Sequence, residues 1–130
     1  MDNSPSGKSA LGLDGNVTAL LGYLIGLVAL ILIFIEKDNK FVRFHALQSV
    51  IWSATCVVGL FVVMIVGMIV SAILGAMSST LGMLGFGLTM LLYFGVILAL
   101  LGGLVFAAIK AFGGNEFKLP IAGNLAQKWA

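Results

Sequence analysis

The sequence predicts an all-α fold whose solvent is lipid, and three observations predict it. Hydrophobic residues make up 61% of the 130-residue chain and 17 glycines come on top of that, well above the roughly 45–50% of a soluble domain. Charged residues reach only 9%, against about 25% in ordinary soluble proteins, too few to keep so small a surface dispersed in water. From Phe44 to Ile109 there is no Asp, Glu, Lys or Arg at all. This composition excludes a soluble enzyme and a disordered tail. It also excludes a nucleic-acid binder, because a formal charge of +2 spread over separate segments leaves no electrostatic footprint.

The elements follow in order. Residues 1–16 form a polar N-terminal tail with one lysine, Lys8, and two aspartates, which fits neither a signal peptide nor an organellar transit peptide. Span one is expected over 17–35, after the cap and turn of Asp14-Gly15-Asn16. Its uncharged length of about 19 residues gives roughly 28 Å, one hydrocarbon thickness. It stops at the charged turn Glu36-Lys37-Asp38-Asn39-Lys40. The long uncharged run then suits two helices, over about 44–75 and 84–110, broken in the polar stretch Ala76–Gly82. Three transmembrane helices are expected, or four if the second is broken, although neither Gly59 nor Gly67 forces a break. Together they make a transmembrane domain over 17–111.

The tail 112–130 carries its own pattern. Pro120 is suited to a first helical position, and Ile121, Leu125 and Trp129 recur every four residues. A short amphipathic helix on the inner leaflet is predicted. Cations set the orientation. Lys37, Lys40 and Arg43 follow span one, Lys110, Lys118 and Lys128 follow span three, and the turn after span two has none. With an odd number of spans, this puts the N-terminus outside and the C-terminus in the cytoplasm of a multi-pass inner-membrane protein.

Helices in lipid associate through small residues and interhelical hydrogen bonds. Span three carries a small stripe at i+4 spacing, Gly95, Ala99, Gly103, Ala107 and Ala111, and this face is expected against protein. Weaker stripes are Gly67, Ser71 and Gly75 in span two, and Thr18, Gly22 and Gly26 in span one.

The chemistry is sparse. No nucleophile lies beside a base, and no paired intramembrane carboxylates, metal-ligand spacing or phosphate loop occur. No catalytic residue, metal, cofactor or soluble small-molecule substrate is therefore expected. Cys56 reads as a small core hydrophobe. Polar residues concentrate at the entrance of span two, where His45, Gln48, Ser49 and Trp52 share one helical face and Arg43 sits just outside. Two readings stand side by side. The group anchors the helix at the interface, or Arg43, His45, Gln48 and Trp52 contact a partner or a lipid headgroup. A lone His45 is also a weak candidate as an axial cofactor ligand.

Two segments carry a family resemblance, Asn39-Lys40-Phe41-Val42-Arg43-Phe44-His45-Ala46-Leu47-Gln48-Ser49 and Phe117-Lys118-Leu119-Pro120-Ile121-Ala122-Gly123-Asn124-Leu125-Ala126. With the preceding apolar span, they resemble a family of small uncharacterised prokaryotic membrane proteins grouped by sequence with the chloroplast inner-envelope protein-import component. The resemblance runs from about Gly15 to Ala130. It implies three or four helices with the Phe-His-Ala-x-Gln box at the membrane surface, and it singles out Phe41, Arg43, Phe44, His45, Gln48 and Pro120 without giving them a role.

The leading functional expectation is a non-enzymatic accessory or assembly subunit of a larger membrane complex, in contact with lipid and with other membrane subunits or further copies of itself. The alternatives are a protein translocation or insertion component, by the import resemblance, and a cofactor-binding subunit of an electron-transfer or light-harvesting complex, through His45.

Overall fold

A computed structural model describes residues 4–130 as five helices: α1 (Gly15–Leu24), α2 (Gly26–Ile35), α3 (Lys40–Met77), α4 (Ser79–Phe112) and α5 (Ala122–Trp129). The chain divides into two compact units, one of Met1–Ser53 with Gly102–Ala130 and the other of Ala54–Leu101. All seven Lys and Arg residues belong to the first unit, and the second has no charged residue.

In the first unit the expected single span over 17–35 is two short helices. Ile25 adopts an extended backbone, φ −126° and ψ 99°. Its amide closes the last turn of α1 on the Leu21 carbonyl at 2.8 Å, and its carbonyl accepts the Val28 amide at 3.0 Å to open α2. The chain folds back, so that a Cβ at Gly22 would lie in ordinary contact, 3.7–3.9 Å, with Leu32 and Ala29. Ten residues per helix give about 15 Å, half the hydrocarbon thickness. Uniform hydrophobicity hid the break, because composition measures total length and is blind to a reversal inside it. Two helices, α3 and α4, are long and apolar enough to cross a bilayer, and the stretch expected as a third span is two ten-residue helices.

The N-tail, expected as polar, is folded in its described part, and residues 1–3 lie outside the described residues. Lys8 pairs with Asp14 at 2.6 Å, and Gly12 turns the chain with φ +79°. Thr18 Oγ1 donates to the Asp14 carbonyl at 3.0 Å and lies 2.7 Å from Ser9 Oγ, which ties the tail to α1. Small side chains line the core of this unit, among them Ala19, Ala29, Ala107, Ala111 and Ala122, all at most 1% exposed. Backbones therefore approach closely, as helix pairs in lipid require.

The tail helix begins at Ala122, after Pro120, because Ile121 takes a positive φ of 66° and turns the chain. Its small residues Ala122, Gly123 and Ala126 are buried, while Ile121 and Trp129 of the expected apolar stripe are exposed.

The second unit is a hairpin of α3 and α4. The turn is the single residue Ser78, within the Ala76–Gly82 window, and its Oγ accepts the Leu81 amide at 3.1 Å to cap α4. Helix α3 runs unbroken through Gly59 and Gly67. At the turn the backbones touch, since a Cβ on Gly82 would stand 2.7 Å from the Gly75 Cα. Gly82→Ala is expected to destabilise the protein by about 1–3 kcal/mol, because rigid backbone is in the way. Gly87→Ala, with nothing within 4 Å, should be neutral or stabilising by up to about 1 kcal/mol. Unfolding in detergent followed by circular dichroism checks the pair.

Candidate functional site

The two segments that carry the family resemblance come together at the start of α3. Gln48 Nε2 donates to the Phe117 carbonyl at 2.9 Å, and Gln48 Oε1 accepts the Leu119 amide at 2.9 Å. One side-chain amide thus bonds the main chain on both sides of Lys118. The second Nε2 proton goes to the Tyr23 hydroxyl at 2.7 Å, and that oxygen lies 2.8 Å from His45 Nδ1. With Gln48 donating to it, Tyr23 directs its own proton at Nδ1, which leaves the ring proton of neutral His45 on Nε2. That atom is buried without a hydrogen-bond partner, and the Asn115 backbone is the polar group next to the ring. Phe41, Phe44 and Tyr23 surround the imidazole edge-on, with centroids at 4.5, 4.9 and 5.6 Å. One turn on, Ser49 Oγ donates to the Gly22 carbonyl at 3.0 Å, near the tip of α1.

A second polar knot lies at the base of the α1–α2 hairpin. Asn39 Oδ1 caps α3 by accepting the Phe41 and Val42 amides, at 3.1 and 3.4 Å. Its Nδ2 donates to the Ser4 and Gly7 carbonyls, both at 3.2 Å. The Glu36 carboxylate, 1% exposed, accepts the amides of Ala10 at 2.7 Å and Asn39 at 3.1 Å. Arg43 Nη1 closes α2 by donating to the carbonyls of Ile33 at 3.2 Å and Glu36 at 3.0 Å, a cation on a helix C-terminus.

These contacts relocate several expected residues. His45 and Gln48 are fully buried and bind their own chain, so neither can meet a lipid headgroup or an external partner from this position. Burial in an aromatic cage also leaves His45 no open face for an axial cofactor. Arg43 is half-buried on α2, and half-buried Trp52 packs on Gly103. The four residues therefore serve as internal joints rather than as one outward patch. The expected packing stripe divides as well. Ala107 is fully buried and Gly103 lies under Trp52, whereas Gly95 and Ala99 are exposed and Gly95 has nothing within 4 Å. Among the described residues, no three His, Cys, Asp or Glu side chains gather as a metal set.

The two tails, expected on opposite sides of the membrane, touch each other in the fold. Asn16 Nδ2 donates to the Phe112 carbonyl at 3.1 Å, and Pro5 lies against Gly114. The N-tail, the Glu36–Arg43 loop and the C-tail lie together in the first unit. Tyr23, Glu36 and Asn39 are the joints that sequence reasoning missed. Their signals were a lone phenol in an apolar span and an Asn directly before a helix.

Gln48→Leu is expected to free the C-terminal segment, at a cost of about 2–4 kcal/mol for three lost hydrogen bonds that leave buried partners unpaired. Tryptic cleavage at Lys118 should then run at least about tenfold faster than in the parent, by the same energy. Gly103→Leu should prevent folding or assembly, since even a Cβ would meet the Trp52 indole at 2.6–2.8 Å, while Gly95→Leu should be tolerated. Yield of monodisperse protein in mild detergent reports both.

Comparison with known proteins gives the setting. A UPF0132 membrane protein of Methanocaldococcus jannaschii is 34% identical, covering 95% of this chain and 96% of its own length. A second UPF0132 membrane protein of that organism is 31% identical over 92% of this chain and 73% of its own. One from Archaeoglobus fulgidus is 30% identical over 87% and 92%. No solved structure matches. Nothing in these relatives links the chain to the chloroplast import component, so that part of the resemblance falls away. Residues 10–126 match the model of the magnetosome magnetite crystal formation protein family, and the chain belongs to this family of membrane proteins.

Proposed function

We propose that the protein is a non-enzymatic assembly subunit of a larger membrane complex. One observation carries this reading: its polar side chains are spent on its own chain. Gln48, His45, Tyr23, Asn39 and Glu36 bond within the molecule, while the exposed surface carries residues such as Phe61, Met83, Leu91 and Leu98. A surface of that kind offers lipid and the apolar faces of other membrane subunits something to hold, and it offers a soluble substrate nothing. The family's name refers to magnetite crystal formation.

The orientation proposed is both tails and the Glu36–Arg43 loop in the cytoplasm, with Ser78 on the far side. All seven cations belong to the first unit, and the bias of Lys and Arg toward the cytoplasmic face supports it.

Two experiments test the reading. Tagged protein extracted in mild detergent should migrate with defined membrane proteins in constant ratio; migration as a lone monomer, without cross-linked neighbours, would overturn the assembly role. For topology, Ser6→Cys, Gln127→Cys and Ser79→Cys are made in a Cys56→Ser background and probed with an impermeant thiol reagent on intact cells. Only Ser79→Cys should label. Labelling of Ser6→Cys without Gln127→Cys would return the tails to opposite sides.

A further inference from the structure

We infer that the α1–α2 hairpin is a wedge in one leaflet, which makes the protein favour curved bilayers with the leaflet at its charged end on the convex face. The length of the hairpin is the first observation. At ten residues each, α1 and α2 reach about 15 Å, whereas a crossing needs about 30 Å. The hairpin can enter a bilayer but cannot pass through it.

The second observation is where its two ends are held. The Gly7 carbonyl accepts both the Gly15 amide, at the start of α1, and Asn39 Nδ2, just past the end of α2. Glu36 receives the Ala10 amide beside them. Entry and exit therefore share one polar point, surrounded by Lys8, Asp14, Lys37 and Asp38. Charge at the base and none at the tip fixes the direction of insertion.

The third is the hairpin's surface. Leu24, Leu27 and Phe34 are 63%, 66% and 75% exposed, at the tip and along α2. The hairpin's outer face contains no charged side chain from Val17 to Ile35. Acyl chains of a single leaflet are the occupant that matches such a face in chemistry and in depth. Helix α5 adds shallow apolar bulk, since Ile121 and Trp129 are exposed on its outer side and Gln48 holds the segment before it.

The mechanical consequence follows from area. A helix about 10 Å wide occupies about 80 Å² of leaflet, so the hairpin adds about 160 Å² to one leaflet and nothing to the other. Helices α3 and α4 each exceed the length of a full crossing and so take room in both. An area excess in one leaflet is relieved by bending, and insertion of this kind is sensitive to curvature.

The test uses the full chain, purified and reconstituted into phosphatidylcholine–phosphatidylglycerol vesicles, with no partner present, so its failure is distinct from failure of the assembly role. A nitroxide at Ile25→Cys in the Cys56→Ser background should be reached by dissolved oxygen and shielded from an aqueous nickel chelate. Exposure to the chelate would overturn the wedge. Spin–spin broadening between labels would do the same by showing that a second copy covers the tip.

On single vesicles, fluorescent protein per unit area should rise at least about threefold from ~400 nm to ~50 nm diameter. A flat profile would overturn the proposal. Leu24→Gln with Leu27→Gln, at exposed positions outside the core, should flatten the profile while circular dichroism stays helical; an unchanged slope would also overturn it. If that variant loses helicity, the depth of the Ile25→Cys nitroxide decides alone.

Discussion

Gln48 holds the charged unit together. One primary amide has two protons and one strong acceptor, and here all three are used on partners far apart in sequence: Tyr23, Phe117 and Leu119. In a surround poor in water such bonds cannot be replaced by solvent, so each ties together segments distant in the chain. The consequences reach outward from that point. Tyr23, fixed by Gln48, fixes the His45 ring, and the segment clamped at Phe117–Leu119 delivers α5. Gly123 then has to be glycine, because a Cβ there would run into the Lys118 backbone and stand 2.9 Å from the Gln48 oxygen. Asn39 does the same work at the base of the hairpin with the same functional group. Two amides, each with donors and acceptor turned on different segments, organise a chain that has almost no charge for the purpose.

The orphaned Nε2 of His45 fits this arrangement. It results from a relay that runs Gln48 to Tyr23 to His45, with the last proton left over. Phe41 and Phe44 stand near-perpendicular to the ring, with centroids at 4.5 and 4.9 Å. Charge on the ring would have no counterion among the groups that touch it.

How much of this was legible in the sequence depended on the range of the interaction. Apolar content and the lack of charge from Phe44 to Ile109 are local sums, and they located α3, α4 and the Ser78 turn. The break at Ile25 lies within an equally apolar run, and it depends on Gly22 meeting Ala29 and Leu32 across a turn, which no window of composition contains. His45 and Gln48 stood out by density of polar groups, but density does not say whether a group faces outward or inward. Their partners lie 25 residues upstream and about 70 downstream, and only the folded chain brings these together. Likewise the C-terminal stripe of Ile121, Leu125 and Trp129 was visible, yet the small residues between them, Ala122, Gly123 and Ala126, are the ones that dock. Assigning the two tails to opposite sides followed from a single helix over 17–35, and that stretch is two short helices instead.

The turn at Ser78 bears on how the protein enters a membrane in the first place. A single residue between Met77 and Ser79 leaves no slack for α3 to be threaded and anchored before α4 arrives. The turn stretch from Met77 to Leu81 contains hydroxyls but no charge, so carrying it through hydrocarbon would need no translocated domain and no ion to be stripped of water. Backbone groups on both sides of it are already bonded within helices. Biogenesis by simultaneous insertion of the paired helices, turn first, is the route such a sequence makes cheap.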